Sequence, residues 1–299
     1  MQTLLSLSND LAAAVERTAG AVVAVHARPR LPSTGVHWRP GIVVTAEHTV
    51  RVEEEIRVAW PDGRAARASL VARDPGTDLA VLRVGDADWP VAQVGDSAAL
   101  KVGNLVLAVG HGPRASWGVV SAVGGPWRTW RGGEVDRFLR VDLVLYPGFS
   151  GGPLVDASGK VVGLVTSGLS RQLELAVPAS TVARIVDELL ATGRISRGYL
   201  GLGLQAVTLP EPLRRLAPGS GAQSLIVVSV EADGPAAGAG VMLGDVLVAL
   251  EGRPLDDPGD VQAVLVGRRP GTAVRASLLR AGAPLDVVIT LGERPARRR

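Results

Sequence analysis

Between Ala21 and Val177 the chain is a series of short apolar runs, each ended by glycine, proline or aspartate: "AVVAVHA", "GIVVTA", "IRVAWPDG", "LAVLRV", "NLVLAVG", "GVVSAVGG", "LRVDLVL" and "KVVGLVTSG". Runs of about four to eight residues fit strands and are too short for helices that bury a face. Repeated at close spacing, they predict an all-β barrel or sandwich. The 37 glycines and 20 prolines supply the turns, and with aromatics at 3% the cores must be built from Val, Leu and Ala.

Helical periodicity brackets this region. Ser8–Ala19 reads as a short amphipathic helix capped by Ser8 or Asn9, with Leu11, Val15 and Ala19 on one face. "PASTVARIVDELLATG" reads as a second helix. Ser180 is its candidate cap, Val182, Ile185, Val186, Leu189 and Leu190 its apolar stripe, and Gly193 its stop. This helix closes a first domain, residues 1–193. A second unit, 194–292, carries "SLIVVSV", "DVLVALEG", a helical stretch around Asp260–Val266, "AVRASLLR" and "LDVVITL", and reads as a small, mostly β module. Residues 293–299, ending in "RPARRR", are a basic tail read as a solvated end.

Charge and cysteine narrow the function. The formal net charge is only +3, and no basic residues interleave with aromatics as a nucleic-acid surface requires. The absence of cysteine excludes disulfides, thiolate metal sites and a cysteine nucleophile. Nothing calls for a metal or a cofactor. No apolar run reaches the roughly 18 residues of a membrane span. The N-terminal "MQTLLSLSNDLAAAVERTAG" has no basic residue before Arg17, and Asp10 interrupts its apolar stretch, so it is a poor signal peptide. The expectation is a cytoplasmic protein, or a periplasmic one if an export segment is missing from this chain.

The chemistry centres on "LYPGFSGGPLVD", where Ser150 stands between Gly148 and the pair Gly151-Gly152. A serine hydroxyl becomes a nucleophile only with a base to take its proton and donors to hold the oxyanion. Glycines let the Gly148 and Ser150 N–H groups converge on one point; the bland alternative is a glycine-rich turn. G-x-S-x-G also occurs in the nucleophile elbow of α/β-hydrolases, but that order places the histidine after the serine. Here His26, His37, His48 and His111 all precede Ser150, leaving the order His, Asp, Ser. His48 follows the apolar "GIVVTAEHTV", where a strand ends and a loop begins. His26 lies within a strand, while His37 and His111 read as loop residues. In "DPGTDLAVLRV", Asp78 directly precedes an apolar run and can face inward, whereas Asp74 suits a turn.

"VVTAEHTV", "DPGTDLAVLRV" and "GFSGGPLVD" together resemble the three catalytic blocks of trypsin-like serine proteases of the HtrA/Deg family. The separations are also similar, 30 residues from His48 to Asp78 and 72 from Asp78 to Ser150. The resemblance implies a mostly β fold, a trypsin-like double β-barrel with the cleft between the barrels. It implies His48 as general base, Asp78 as orienting acid, Ser150 as nucleophile and an oxyanion hole from the N–H groups of Gly148 and Ser150. "RGYLGLGL" and "GPAAGAGVMLGDVLVALEGRPL" resemble the PDZ domain that follows the protease in this family. There Tyr199, Leu200, Gly201 and Leu202 would receive a peptide C-terminus, the peptide adding as a strand to a sheet edge. An S1 pocket near Leu173, Leu175 and Ala176 would be aliphatic and favour small or medium aliphatic residues.

Two residues depart from the family pattern. Phe149 stands where asparagine is usual, and Tyr146 where a small or aliphatic residue is usual. Both either reshape the oxyanion loop or pack onto the barrel. The N-terminal helix lacks the aromatics that often help build the family's trimer, so trimerisation is not expected from it and a homo-oligomer stays open. The leading expectation is an ATP-independent endopeptidase of unfolded or damaged protein. The alternatives are a catalytically inactive peptide-binding or chaperone-like scaffold and a small-ester hydrolase.

Overall fold

A computed structural model describes residues 2–293, apart from 86–87, 113, 171, 196–197, 217–222 and 266–267. The basic tail expected at the C-terminus lies outside the described residues from position 294 onward. The chain divides into two compact units, Met1–Ile195 and Ser196–Arg299.

The first unit opens with helix α1 (Gln2–Ala19). It begins six residues before the expected caps Ser8 and Asn9, which lie inside it. Leu4, Leu5 and Leu7 extend it as good helix formers, although they remain exposed. Six strands then close a barrel: β1 (Val22–His26), β2 (Ser33–Arg39), β3 (Ile42–Ala46), β4 (Ile56–Ala59), β5 (Ala65–Asp74) and β6 (Leu79–Val84). Their order around the barrel is β1-β2-β3-β6-β5-β4, all antiparallel. A second barrel follows, from β7 (Leu105–Gly110) and β8 (Arg114–Val123), then β11 (Leu139–Asp142), β12 (Pro153–Asp156), β13 (Val161–Thr166) and β14 (Leu175–Pro178), in the order β11-β14-β13-β12-β7-β8. A small hairpin of β9 (Trp127–Arg128) and β10 (Glu134–Val135) projects between β8 and β11.

The burial pattern explains why the runs are apolar at nearly every position. Val23, Val25, Val43, Ala80 and Leu82 fill the first barrel. Their neighbours Val22, Val44, Leu79 and Val81 point the other way, into a cluster shared with Leu107, Val109, Val155 and Leu164 of the second barrel. Each central strand is therefore buried on both faces, and each fully buried Val or Leu contributes roughly 1.5–3 kcal/mol. Helix α2 (Ala179–Thr192) lays Val182, Ile185, Val186 and Leu189 on the same cluster. Gly193, at φ 74°, ends it, its N–H donating to the Leu189 carbonyl. Ser180 is not its cap: Pro178 holds that position, and the Ser180 hydroxyl pairs with that of Ser97 instead.

The second unit is a twisted sheet in the order β16-β17-β18-β20-β21, built from β16 (Leu202–Thr208), β17 (Gln223–Val230), β18 (Val246–Leu250), β20 (Ala273–Arg280) and β21 (Ala283–Thr290). β15 (Gly198–Tyr199) pairs with β22 (Gly292–Glu293), and β19 (Arg253–Pro254) turns back to pair antiparallel with the end of β18. Helices α3 (Glu211–Leu216), α4 (Pro235–Gly238) and α5 (Pro258–Leu265) complete it. Its core is aliphatic, with Leu225, Leu247, Leu250, Val274 and Leu278 at the centre.

Candidate active site

The first barrel supplies the imidazole and the carboxylate. β3 runs into a single 3₁₀ turn, Glu47–Thr49, which carries His48. The Thr49 hydroxyl donates back to the Ala46 carbonyl at 2.7 Å and fixes that turn. Asp78 stands one residue before β6 with φ 59°, a left-handed conformation that aspartate tolerates better than most side chains. Its carbonyl accepts the Glu47 N–H at 3.0 Å, and its Oδ1 accepts the His48 N–H at 2.8 Å. Oδ2 lies 2.8 Å from His48 Nδ1, so the ring proton on that side is the donor and Nε2 carries the lone pair. The Thr166 hydroxyl, from the end of β13, donates to the same Oδ2. The Asp78 side chain is fully buried, while that of His48 is 26% exposed. A carboxylate withdrawn from water thus has its acceptor sites filled.

The second barrel supplies the hydroxyl. Tyr146, Pro147, Gly148 and Phe149 form a turn closed by Phe149 N–H to the Tyr146 carbonyl at 3.0 Å. Pro147 and Gly148 occupy the positions a type II turn favours, and Gly148 takes the required positive φ, 92°. Thr34 of β2 ties this turn to the first barrel. Its hydroxyl donates to the Gly148 carbonyl at 2.6 Å, and its N–H to the Ser150 carbonyl at 3.3 Å. With both carbonyls engaged, the N–H groups of Gly148 and Ser150 donate to no protein acceptor among the described residues. A Cβ at Gly151 would lie 2.3 Å from the Thr34 carbonyl oxygen, so glycine is what lets the two barrels close at this point. The Ser150 hydroxyl is 3.1 Å from that of Ser167, and among the described residues it has no hydrogen bond to His48.

The aromatic departures pack onto the barrel. Phe149 is fully buried in the second barrel's core, and its ring fills space that a Cβ on Gly110 would invade at 2.5 Å. Tyr146 meets it edge-on at 5.5 Å and remains half exposed, and the Arg114 guanidinium stands 5.4 Å from its centroid. Arg114 also donates to His111 Nε2 at 3.0 Å. Burial first, and Arg114 second, hold the His111 imidazole below its usual range.

The remaining sequence expectations divide. His26 is exposed at the end of β1, and Asp74 accepts the N–H groups of Gly76 and Thr77 in a turn. His37 is not in a loop. It is buried in β2, its Nδ1 at 2.8 Å from the Pro90 carbonyl, with Trp60 and Trp89 edge-on to the ring. Leu175 and Ala176 are both buried on opposite faces of β14, in different clusters, and half-buried Leu173 packs with Leu175. In the second unit the N–H groups of Leu200 and Gly201 donate to no protein acceptor among the described residues, while their carbonyls accept from Ala236 and Glu231, each at 2.9 Å. Tyr199 lies in β15, and half-buried Leu202 begins β16, the outermost strand of its sheet. Thr34, Thr166, Ser167 and Gly168 were not singled out in the sequence. Asking what fills the second oxygen of a buried Asp78 points to the hydroxyl in "LVTSGL". Among the described residues no three His, Asp or Glu side chains cluster as metal ligands.

Comparison with known proteins matches this fold. A trypsin-like peptidase domain matches residues 33–164, and a PDZ domain matches 198–291. The HtrA-type protease AlgW, solved with a tripeptide, is 32% identical with a TM-score of 0.72, over 96% of this chain and 98% of that one. The chain belongs to the HtrA/Deg family of serine proteases. A serine endoprotease from Yersinia pestis is similar at 31% identity and a TM-score of 0.75, over 96% of this chain and 98% of that one. A probable periplasmic DegP-like serine endoprotease of Rhizobium meliloti (strain 1021) is 36% identical over 90% of this chain and 55% of its own length. One from Pseudomonas fulva (strain 12-X) is 34% identical over 86% of this chain and 55% of its own. This chain therefore spans about half the length of those curated relatives. Their names overturn the cytoplasmic expectation, because both are named as probable periplasmic endoproteases. The N-terminal stretch from which that expectation came is helix α1, which buries Ala14 in the core. No described helix is long and apolar enough to cross a membrane.

Proposed function

We propose that this HtrA-type chain is a serine endopeptidase of extended, unfolded polypeptide, acting in the periplasm as its relatives are named to do. Ser150 is the nucleophile, His48 the general base and Asp78 the acid that orients it. The observation that most supports this reading is His48 paired at 2.8 Å with a fully buried Asp78, next to a serine turn with two unspent N–H groups.

The steps follow from those groups. With the hydroxyl turned to His48 Nε2, the Ser150 Oγ–H proton passes to the imidazole as Oγ bonds to the substrate carbonyl carbon. The carbonyl π pair moves to oxygen, where the Gly148 and Ser150 N–H groups receive it. Asp78 fixes the tautomer and stabilises the imidazolium. The proton then goes to the leaving amine as the C–N bond breaks. Water, activated by the same imidazole, releases the acid and restores Ser150. Of the three residues expected near the S1 pocket, Leu175 and Ala176 are buried in separate cores, so the preference for small or medium aliphatic residues rests on half-buried Leu173. The PDZ domain binds peptide C-termini: the carboxylate meets the N–H groups of Leu200 and Gly201, and the peptide adds to the free edge of β16, beside α5 with Val261, Val264 and Leu265.

Replacing Ser150 by alanine tests the assignment. Casein hydrolysis falls by roughly 10⁴–10⁶-fold, and a fluorophosphonate no longer labels the chain. Retained cleavage in that variant rejects the reading. A second reading, a non-catalytic peptide-binding scaffold, is favoured by the Ser150 hydroxyl bonding to Ser167 and not to His48. A folded chain that takes up no probe at Ser150, with or without the Ser167 hydroxyl, decides for it.

A further inference from the structure

Ser167 makes two contacts with the Ser150 oxygen. The hydroxyls are 3.1 Å apart, and the Ser167 N–H donates to Ser150 Oγ at 3.3 Å. A hydroxyl has one proton and two lone pairs. If Ser150 donates to Ser167, its proton is not available to His48. If Ser167 donates, both lone pairs of the nucleophile are engaged by one residue. In the first case the bond must be exchanged before the proton can reach His48; in the second the Ser167 hydroxyl occupies a lone pair of the attacking oxygen.

The segment that delivers Ser167 has a fixed course. On one side, Thr166 is tied to Asp78 by its hydroxyl. On the other, the Gly168 N–H donates to Thr166 Oγ1 at 2.9 Å. Gly168 lies directly over the pair: a Cβ there would stand 2.3 Å from Asp78 Oδ2 and 2.8 Å from His48 Nδ1. Leu169 is buried in the core between the barrels and anchors the bend. Ser167, itself exposed, sits between these fixed neighbours with its hydroxyl aimed at Ser150. The same short segment thus steadies the base and restrains the nucleophile.

We propose that Ser167 is a positioning residue, a latch whose hydroxyl holds Ser150 in a resting rotamer and competes with His48 for it. This rests on the reading of Ser150 as nucleophile. Catalysis requires exchange of one hydrogen bond for another, so the latch slows Ser150 without altering the base. A neutral hydrogen bond of this kind has a net value equivalent to about 3- to 10-fold in rate.

The test uses the full chain and a fluorophosphonate, with labelling at Ser150 followed by mass spectrometry. Ser167→Ala is expected to raise the maximal labelling rate about 3- to 10-fold with the half-saturating probe concentration unchanged. Ser167→Thr keeps the hydroxyl and labels at the wild-type rate. Ser167→Gly, which also lacks the hydroxyl, labels as fast as the alanine variant and serves if that variant fails to fold. Thermal melting confirms which variants are folded. Labelling of the hydroxyl-free variants at or below the wild-type rate overturns the latch alone. So does an equal rise in Ser167→Thr, because the hydroxyl is then not the cause. Labelling of Ser167→Ala when the wild type stays silent supports it. Folded wild-type and Ser167→Ala chains that both stay silent overturn the latch together with the protease reading.

Discussion

The two barrels bring opposite kinds of part to the cleft. The first contributes a carboxylate with no exposure and an imidazole whose Nδ1 side is fully engaged. The second contributes a half-buried hydroxyl on a turn rich in glycine, bonded to an exposed serine. A buried charge must have its hydrogen bonds wherever it sits, so that half of the site is built rigidly from strand ends. A nucleophile must leave its resting partner to reach a substrate carbonyl, so its hydrogen bonds have to be exchangeable. The inequality between the halves follows from what each does.

The sharpest way to break the comparison is at Asp78. Asp78→Asn keeps the shape but presents an amide to groups that donate, so the imidazole takes the wrong tautomer. Peptidase activity is expected to fall roughly 10⁴-fold, with loss of fluorophosphonate labelling in parallel. A fall of less than tenfold would mean that the rigid half does not direct the flexible one.

Phe149 tests the opposite claim, that the second-barrel half is held only where it is buried. Its ring packs among Gly110, Tyr146 and Arg114, while the next residue is half-buried and its hydroxyl is held only by Ser167 among the described residues. Phe149→Ala should destabilise the first unit by about 3–5 kcal/mol, read as a lower urea midpoint with the denaturant slope unchanged. A loss under about 1 kcal/mol would show that the Tyr146–Phe149 turn does not depend on this anchor. Gly168→Ala acts on the rigid half from outside. The added methyl must displace Asp78 Oδ2 or His48 Nδ1, since both lie under 3 Å from where it would go. Misplacement on that scale costs about 10²-fold in kcat/KM, with little change in melting temperature. Full activity in Gly168→Ala would show that the segment yields freely, which also undermines a fixed Ser167.

These expectations mark what the sequence could carry. The apolar runs of β3, β6, β7 and β13 were legible as strands because these strands are buried on both faces, so apolar residues occur in them without alternation. His48 and Asp78 stand at the ends of such runs, where the sequence placed them, whereas Ser150 became a candidate through its glycine-rich setting and the order and spacing of the three blocks. The start of α1 was not, since nothing in "QTLLSLS" distinguishes a helix with exposed leucines from a loop. His37 was misread for the reverse reason. Neighbouring Trp38 and Pro40 suggest a loop, yet the aromatic cluster that buries the ring comes from Trp60 and Trp89, distant in sequence. Ser167 and Thr166 are a serine and a threonine among many until Asp78 and Ser150 are set beside them. Long-range partners of that sort have no local signature.

The smallest effect expected is also the one that depends on pH. His111 stands where the halves meet: its N–H donates to Thr34 Oγ1 at 3.0 Å, and its Nε2 accepts from Arg114, which leans on Phe149. Arg114, Arg28 and His26 are the charged or titratable groups that face it, and all three oppose a proton on the ring. The Pro32 carbonyl acts the other way but is outweighed by burial and Arg114. The folded state therefore binds this proton more weakly than the unfolded chain, where the value is the ordinary 6.5. Between those two values the unfolded chain holds more protons, so stability rises with pH. The contribution is complete above about 6.5 and is lost as pH falls through the depressed folded value. His111→Gln can still accept from Arg114 but does not titrate. Between pH 7.5 and 5 the wild type should lose about 1–2 °C more in melting temperature than this variant. Every other titrating group is common to both chains, so the difference isolates His111. Parallel melting curves at both pH values would show that the contact between the halves is indifferent to that proton.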